Sequence, residues 1–242
     1  MPAAAEMLKV GIYEAPPLVF DKKSPLLGIY KEIFVEISKL TSDTFEFEEN
    51  SAGRTLDAFN AGKIDIEPGI NPIWRKNQLV PGLYSVPFAK SETVLVSLPG
   101  SKENRRFLRT GRVVGYEYPE LEDQYAKQAW LTVVAADERG LFDLLNRKKA
   151  DQILMQSQVA RYWLDSGRIR KPERYELSEP VEVQDIMMRV HPNKASAIPR
   201  LNKAIKTLLD NGTIQKIYEH YIHKNAEPKT GNSEKSKESS GH

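Results

Sequence analysis

The chain has 242 residues, 40% hydrophobic and 28% charged, enough to fill one or two small cores, since domains run to about 100–200 residues. Lys and Arg number 35 against 33 Asp and Glu; the formal charge of +2 supplies no strong field for nucleic acid or an acidic membrane surface. The absence of cysteine excludes disulfides, thiolate metal sites and cysteine nucleophiles, and no apolar run approaches the roughly 18–20 residues of a bilayer span.

Met1-Pro2-Ala3-Ala4-Ala5-Glu6 fits the small-residue stretch around a signal cleavage site with a start Met added, and equally an ordinary N-terminal arm. Met7 to Tyr13 reads as a first strand closed by the Pro16-Pro17 turn. From Gly28 to Leu40, Ile29, Ile33, Phe34, Ile37 and Leu40 recur at three- and four-residue spacing, one face of a helix. Thr44 to Glu48 alternates Phe45 and Phe47 with polar residues, the period of a half-buried strand. Arg54 to Asn60 predicts a helix stopped at Ala61-Gly62, followed directly by a strand over Lys63 to Ile66. This β-α alternation implies a mainly parallel sheet, whose ligands sit at the carboxyl ends of the strands.

Glu92 to Leu98 is a strong strand ending in Pro99-Gly100, and a domain boundary falls near Leu98. A second β-α series then begins. It runs through a strand at Arg112 to Gly115, a helix at Leu121 to Trp130, a strand at Leu131 to Ala135 and a helix from Asp137, the expected N-cap, to Leu145. A strand at Gln152 to Leu154, a helix at Gln158 to Leu164 and a strand at Asp185 to Val190 follow. Two amphipathic helices, Ala197 to Leu209 and Thr213 to Tyr221, are split by Asn211-Gly212. From about Lys224 to His242 no apolar residue follows Ala226, so this polar stretch is expected to be a disordered tail.

Four stretches carry a resemblance over nearly the whole chain to Tyr221. They are Leu8 to Phe20 with its first strand and proline-containing loop, Leu56 to Ile66 with Gly62-Lys63-Ile64-Asp65, Arg75 to Phe88 with Tyr84-Ser85-Val86-Pro87-Phe88, and Leu201 to Tyr221 with Asp210-Asn211-Gly212-Thr213. In this order they resemble the family 3 extracellular solute-binding proteins, the polar-amino-acid receptors of bacterial ABC importers. The resemblance implies an α/β, two-lobed type 2 periplasmic-binding fold with two crossing hinge strands, near Thr93 to Leu98 and near Val181 to Ile186. One lobe would comprise residues 1–95 with 186–223, the other 96–185, and residues 224–242 the tail. It further implies a periplasmic, monomeric receptor with its signal peptide removed, without cofactor, metal or nucleic acid. Such a receptor closes on a small anionic or zwitterionic ligand, an amino acid or derivative, and passes it to an ABC permease.

Arg75 matches the arginine with which the family grips a ligand carboxylate through two parallel hydrogen bonds; read by itself, Trp74-Arg75-Lys76 is an ordinary solvated stretch. Gly69-Ile70-Asn71-Pro72-Ile73-Trp74 lacks the hydroxyl residues usual before that arginine, with Asn71 as a substitute. The second lobe departs further. Gly115-Tyr116-Glu117-Tyr118-Pro119 replaces the family's Gly-Thr step, and Gln156 stands where an aspartate usually meets the ligand's ammonium. Glu14, Glu67 or Glu117 would have to compensate, each of them otherwise a plain surface Glu. Tyr13, Tyr84, Tyr116 and Trp74 are candidates to stack on or hydrogen-bond the ligand, or else pack in the core or rim. Gly69 and Asn71 complete the expected ligand-binding set.

No phosphate loop, dinucleotide glycine fingerprint, nucleophile elbow or His-Glu-x-x-His helix occurs, so catalysis is not expected. His220 and His223 fit a helix C-terminus better than a metal site, and the run Lys102, Arg105, Arg106, Arg109 and Arg112 reads as a solvated face. Two rivals remain. One is an accessory or sensory protein for a non-standard ligand or a protein partner. The other resembles cyclohexadienyl dehydratases, with Glu14, Glu67 or Glu117 as acid or base.

Overall fold

The computed structural model of the chain describes residues 5–127 and 130–223. Met1 to Ala4 of the N-terminal stretch Met1 to Glu6, and the polar tail at 224–242, lie outside the described residues.

Strand β1 (Met7–Ile12) pairs in parallel with β2 (Thr44–Glu49), from Met7 beside Thr44 to Ile12 beside Glu49, and with β3 (Ile66–Ile70). Helix α1 (Ile29–Thr41) buries the stripe Ile29, Ile33, Phe34 and Ile37, while Phe34 meets Phe45 and Phe47 of β2. Leu40, grouped with that stripe on the sequence, is half exposed in the last turn, beyond the sheet's reach. Helix α2 (Ala52–Asn60) starts two residues before the expected Arg54 because Ser51 caps it, its hydroxyl accepting from the Arg54 N–H at 3.4 Å.

The strand expected at Lys63 to Ile66 begins instead at Ile66. Lys63 to Asp65 form a turn, in which the Asp65 carboxylate accepts the Lys9 N–H at 2.8 Å and ties the turn to β1. After a 3₁₀ turn at Pro72–Arg75 and short β4 (Leu83–Tyr84), β5 (Ala89–Ser97) leads into a second parallel set. This is β6 (Leu108–Val113), short α3 (Glu122–Lys127), β7 (Trp130–Ala135), α4 (Glu138–Asn146), β8 (Gln152–Gln156) and α5 (Ser157–Asp165). Asp137 caps α4 as its sequence position predicts, accepting from the Gly140 N–H at 2.8 Å. The expected strand at Arg112 to Gly115 is β6, four residues earlier, and Gly115 sits in the turn after it. The helix expected over Leu121 to Trp130 is shorter: Trp130 begins β7 and packs with Leu95, Tyr118, Leu121 and Leu154 in a small core of its own.

After short β9 (Glu176–Leu177), β10 (Glu182–Val190) returns, and α6 (Ile198–Asp210) and α7 (Thr213–His223) close the chain against α1. The strands run in the order β2-β1-β3-β10-β5-β8-β6-β7. The first half of β10, Glu182 to Ile186, pairs antiparallel with Thr93 to Ala89 of β5; its second half pairs with β3 and β4. Two parallel sheets are therefore joined through one antiparallel strand pair, which lies a few residues earlier in β5 than the expected crossing at Thr93 to Leu98.

Gly69, the penultimate residue of β3, has φ of 71°, a region that L side chains rarely adopt. A Cβ at this position would lie 2.2 Å from the Tyr30 hydroxyl oxygen. Gly69→Ala should therefore lower stability by about 3 kcal/mol. Urea unfolding followed by circular dichroism checks this, and an unchanged midpoint would refute it.

Candidate functional site

The carboxyl ends of β1 and β3 face the turn after β6 and the end of β8 across the joint between the sheets. A cavity of about 40 Å³ lies there, lined by Tyr13, Gly69, Trp74, Arg75, Tyr116, Glu117 and Gln156, all predicted from the sequence. Ile70, Thr93, Gly115 and Tyr118 complete the wall. Gly115 and Tyr118 belong to the segment that stands in place of the family's Gly-Thr step, whereas Ile70 and Thr93 were not singled out; Thr93 lines the wall as the strand partner of Gln156.

Arg75 is the more buried of the two charged residues lining the cavity, 4% exposed, at the end of the 3₁₀ turn that Asn71 caps by accepting the Ile73 N–H at 2.9 Å. Its guanidinium lies 3.7 Å from Glu67 and donates to the Trp74 carbonyl at 3.4 Å, while its Nε has no partner among the described residues. Glu67, 2% exposed, is also ion-paired with Arg189, which is fully buried. Arg189 additionally donates to the carbonyls of Val80 and Pro81 and lies over the Phe59 ring, 3.8 Å from its centroid. Two guanidinium groups against one carboxylate leave one positive charge uncompensated beneath the cavity. Glu67, expected as a free cleft carboxylate, is instead committed to this cluster.

Tyr13 and Tyr116 close the cavity on its other side, their ring centroids 5.7 Å apart. Burial pushes the Tyr13 hydroxyl up to about 12, with Arg75 pulling the opposite way. The Tyr116 hydroxyl donates to Glu138 at 2.7 Å, and burial with that carboxylate's charge holds its pKa well above the ordinary tyrosine range. Glu138, at the start of α4, is 5% exposed, and burial raises its pKa to about 7. It was not predicted; on the sequence it reads only as a first-turn acid favoured by the helix dipole.

The remaining predicted residues lie around this centre. Asn71 spans the joint, its Nδ2 donating to the Gln184 side chain at 3.1 Å and the Asp185 carbonyl at 2.7 Å. Glu117 accepts from Gln78, in the loop after the 3₁₀ turn, at 3.1 Å. Tyr84 does not line the cavity; its hydroxyl donates to the Pro81 carbonyl at 2.8 Å, and its half-buried ring packs against the core from β4, beside β10. Glu14 also lies outside the cavity, 3.9 Å from Arg168, in a wider groove of about 770 Å³ beyond the two tyrosines. Away from the cleft, Arg105 and Arg109 both pair with Asp151, at 3.1 and 2.7 Å. Among the described residues no group of three or more His, Cys, Asp or Glu is placed to hold a metal, and no helix is long and apolar enough to cross a membrane.

The family model of the bacterial extracellular solute-binding proteins, family 3, matches residues 8–224. The chain belongs to this family. No curated protein matches the sequence significantly. Among solved structures, a substrate-binding protein of an ABC uptake transporter from Streptococcus pneumoniae with bound histidine aligns over 90% of this chain and 92% of its own, at 15% identity and TM-score 0.75. An ancestral arginine-binding protein bound to glutamine aligns over 89% and 97%, at 19% identity and TM-score 0.73. An ancestral amino acid-binding protein described as a precursor of cyclohexadienyl dehydratase aligns over 89% and 95%, at 17% identity and TM-score 0.69. This family 3 protein thus has the two-lobed type 2 periplasmic-binding fold, with β5 and β10 as its crossing strands.

The raised pKa of Glu138 has a thermodynamic sign. A carboxyl that binds its proton more tightly folded than unfolded adds stability below the ordinary carboxylate pKa, and that contribution disappears as pH rises through about 7. The shift corresponds to about 3 kcal/mol. Urea titrations of the parent and Glu138→Gln at pH values near 4.5 and 8 should show the variant gaining on the parent by up to that amount at the higher pH. An identical gap at both pH values would contradict the assignment.

Proposed function

We propose that this protein is a receptor acting outside the cytoplasmic membrane, capturing a small carboxylate-bearing ligand between its lobes for ABC-type import, as a monomer and without catalysis. The lobes taken to close on it are residues 1–95 with 186–223, and 96–185. One observation carries this reading: Arg75 is buried at the cavity, shares with Arg189 the only carboxylate it pairs with among the described residues, and keeps a guanidinium N–H without a partner among them. A buried cation so arranged favours an anionic guest, and a carboxylate matches the planar fork. Tyr13, Trp74, Tyr116 and Gln156 supply apolar faces and neutral polar tips around it.

The ligand enters by separation of the lobes, since about 40 Å³ is far below the roughly 300–1,000 Å³ of small-molecule sites. The contacts to be broken are few. They include the Gln78–Glu117 and Asn71–Gln184 hydrogen bonds and the packing of Phe20 on Tyr162, 5.5 Å between centroids. The same small cavity is what favours a second reading, an accessory or sensory protein whose cleft stays shut on its tyrosines and which binds a protein partner instead. The dehydratase-like reading loses two of its three candidate carboxylates to Arg189 and Gln78, and Glu14 faces the outer groove.

A thermal-shift screen with amino acids, opines, dicarboxylates and small peptides tests the proposal. A ligand at a hundred times its Kd should add about 2.7 kcal/mol of stability. Arg75→Met should fold and lose the shift. A screen in which no carboxylate raises the melting temperature, or in which Arg75→Met responds like the parent, overturns the receptor reading; turnover of prephenate or arogenate would replace it with the enzyme.

A further inference from the structure

The cleft is electrically lopsided beyond what the carboxylate site explains. On the Glu67 side, two guanidinium groups share one carboxylate. Across the Tyr13–Tyr116 pair, Glu138 is 95% buried at the wall of the larger groove and has no cation within ion-pairing distance among the described residues. Lys22, Arg54 and Arg139 line the same groove without reaching it, and Arg168 is taken by Glu14 and lies over the Tyr162 and Trp163 rings. Tyr13 registers both poles, since Arg75 pulls its pKa down while Glu67 and Glu138 push it up. A buried carboxylate without a cation is costly, and a guest that brings one relieves the cost.

The near compartment is poorly equipped for the opposite arrangement, a cation beside the carboxylate. Glu67 is held by Arg189, and Gln156 is neutral. Glu182 stands behind Thr93, which donates to it at 3.1 Å, and does not line the cavity. Glu117 does line it and is engaged by Gln78. Tyr13 and Tyr116 line both the 40 Å³ cavity and the groove of about 770 Å³, so parting their rings joins the two spaces.

We infer that the cleft takes an ω-amino or ω-guanidino carboxylate without an α-ammonium, its carboxylate on Arg75 and its distant cation on Glu138, with the Tyr13–Tyr116 pair parted between them. This rests on the receptor reading above and names its ligand class. Glu138 is then the specificity-determining residue, and its hydrogen bond from Tyr116 holds the empty site closed.

Calorimetric titration with δ-aminovalerate, γ-guanidinobutyrate, pentanoate and norvaline tests it, using the parent, Arg75→Met, Glu138→Gln and Glu117→Gln. δ-Aminovalerate or γ-guanidinobutyrate should bind most tightly, and Glu138→Gln should weaken that ligand by about thirtyfold while changing pentanoate by less than about threefold. Glu138→Gln retains the shape and an acceptor for Tyr116, and circular dichroism of each variant separates lost binding from lost folding. Tight norvaline binding that Glu117→Gln weakens and Glu138→Gln leaves alone would overturn this inference and keep the receptor. Loss of nothing on Arg75→Met, or no binding by any of the four, would remove both.

Discussion

Glu67 sits between two buried arginines, and that arrangement constrains the rest of the cleft. A carboxylate 2% exposed near the start of β3 is tolerable only with a cation at hand, and Arg189 on the neighbouring β10 supplies it in full burial. Arg189 is itself affordable there because Val80, Pro81 and the face of Phe59 take up its remaining N–H groups and charge. Arg75 arrives third, from the 3₁₀ turn, and finds the carboxylate already engaged. The positive charge left over is a property of the trio, and it points into the joint between the sheets rather than to solvent.

The joint between the sheets is carried by the same strand as Arg189. β10 gives its first half to one sheet and its second half to the other, so the closure proposed above would be absorbed by the Ala89–Thr93 and Glu182–Ile186 pair. The lobes meet through a handful of polar contacts, two tyrosine rings, and the close approach of Gly115 to Gly53, where a Cβ would come within 3.2 Å of backbone. Such a surface holds shut by small terms that a guest with differential contacts can outweigh.

Legibility followed periodicity. The α1 stripe, the Asp137 cap, and the α6 and α7 helices are local patterns, and they stand where the sequence places them. The misplaced boundaries occur where a distant partner decides. Lys63 to Asp65 reads as strand, but the Asp65 carboxylate binds the Lys9 backbone across 56 positions and makes a turn of it. Trp130 reads as the end of a helix, but the edge of the second sheet recruits it as the start of β7.

At the site, residue type pointed to Tyr13, Trp74 and Tyr116 as amphipathic walls at strand ends, whereas Arg75 and Gln156 stood out only through the family resemblance, since by themselves they read as ordinary polar residues. The sequence by itself determined the alternation of strands and helices, their order and the residues brought to the joint, since hydrophobic period and turn chemistry are local. Only the tertiary structure decided which charges compensate one another. That Glu67 belongs to Arg189, that Tyr84 packs beside β10 away from the cavity, and that Glu138 is buried without a cation among the described residues all depend on residues far apart in the chain, through distances that no one-dimensional pattern encodes.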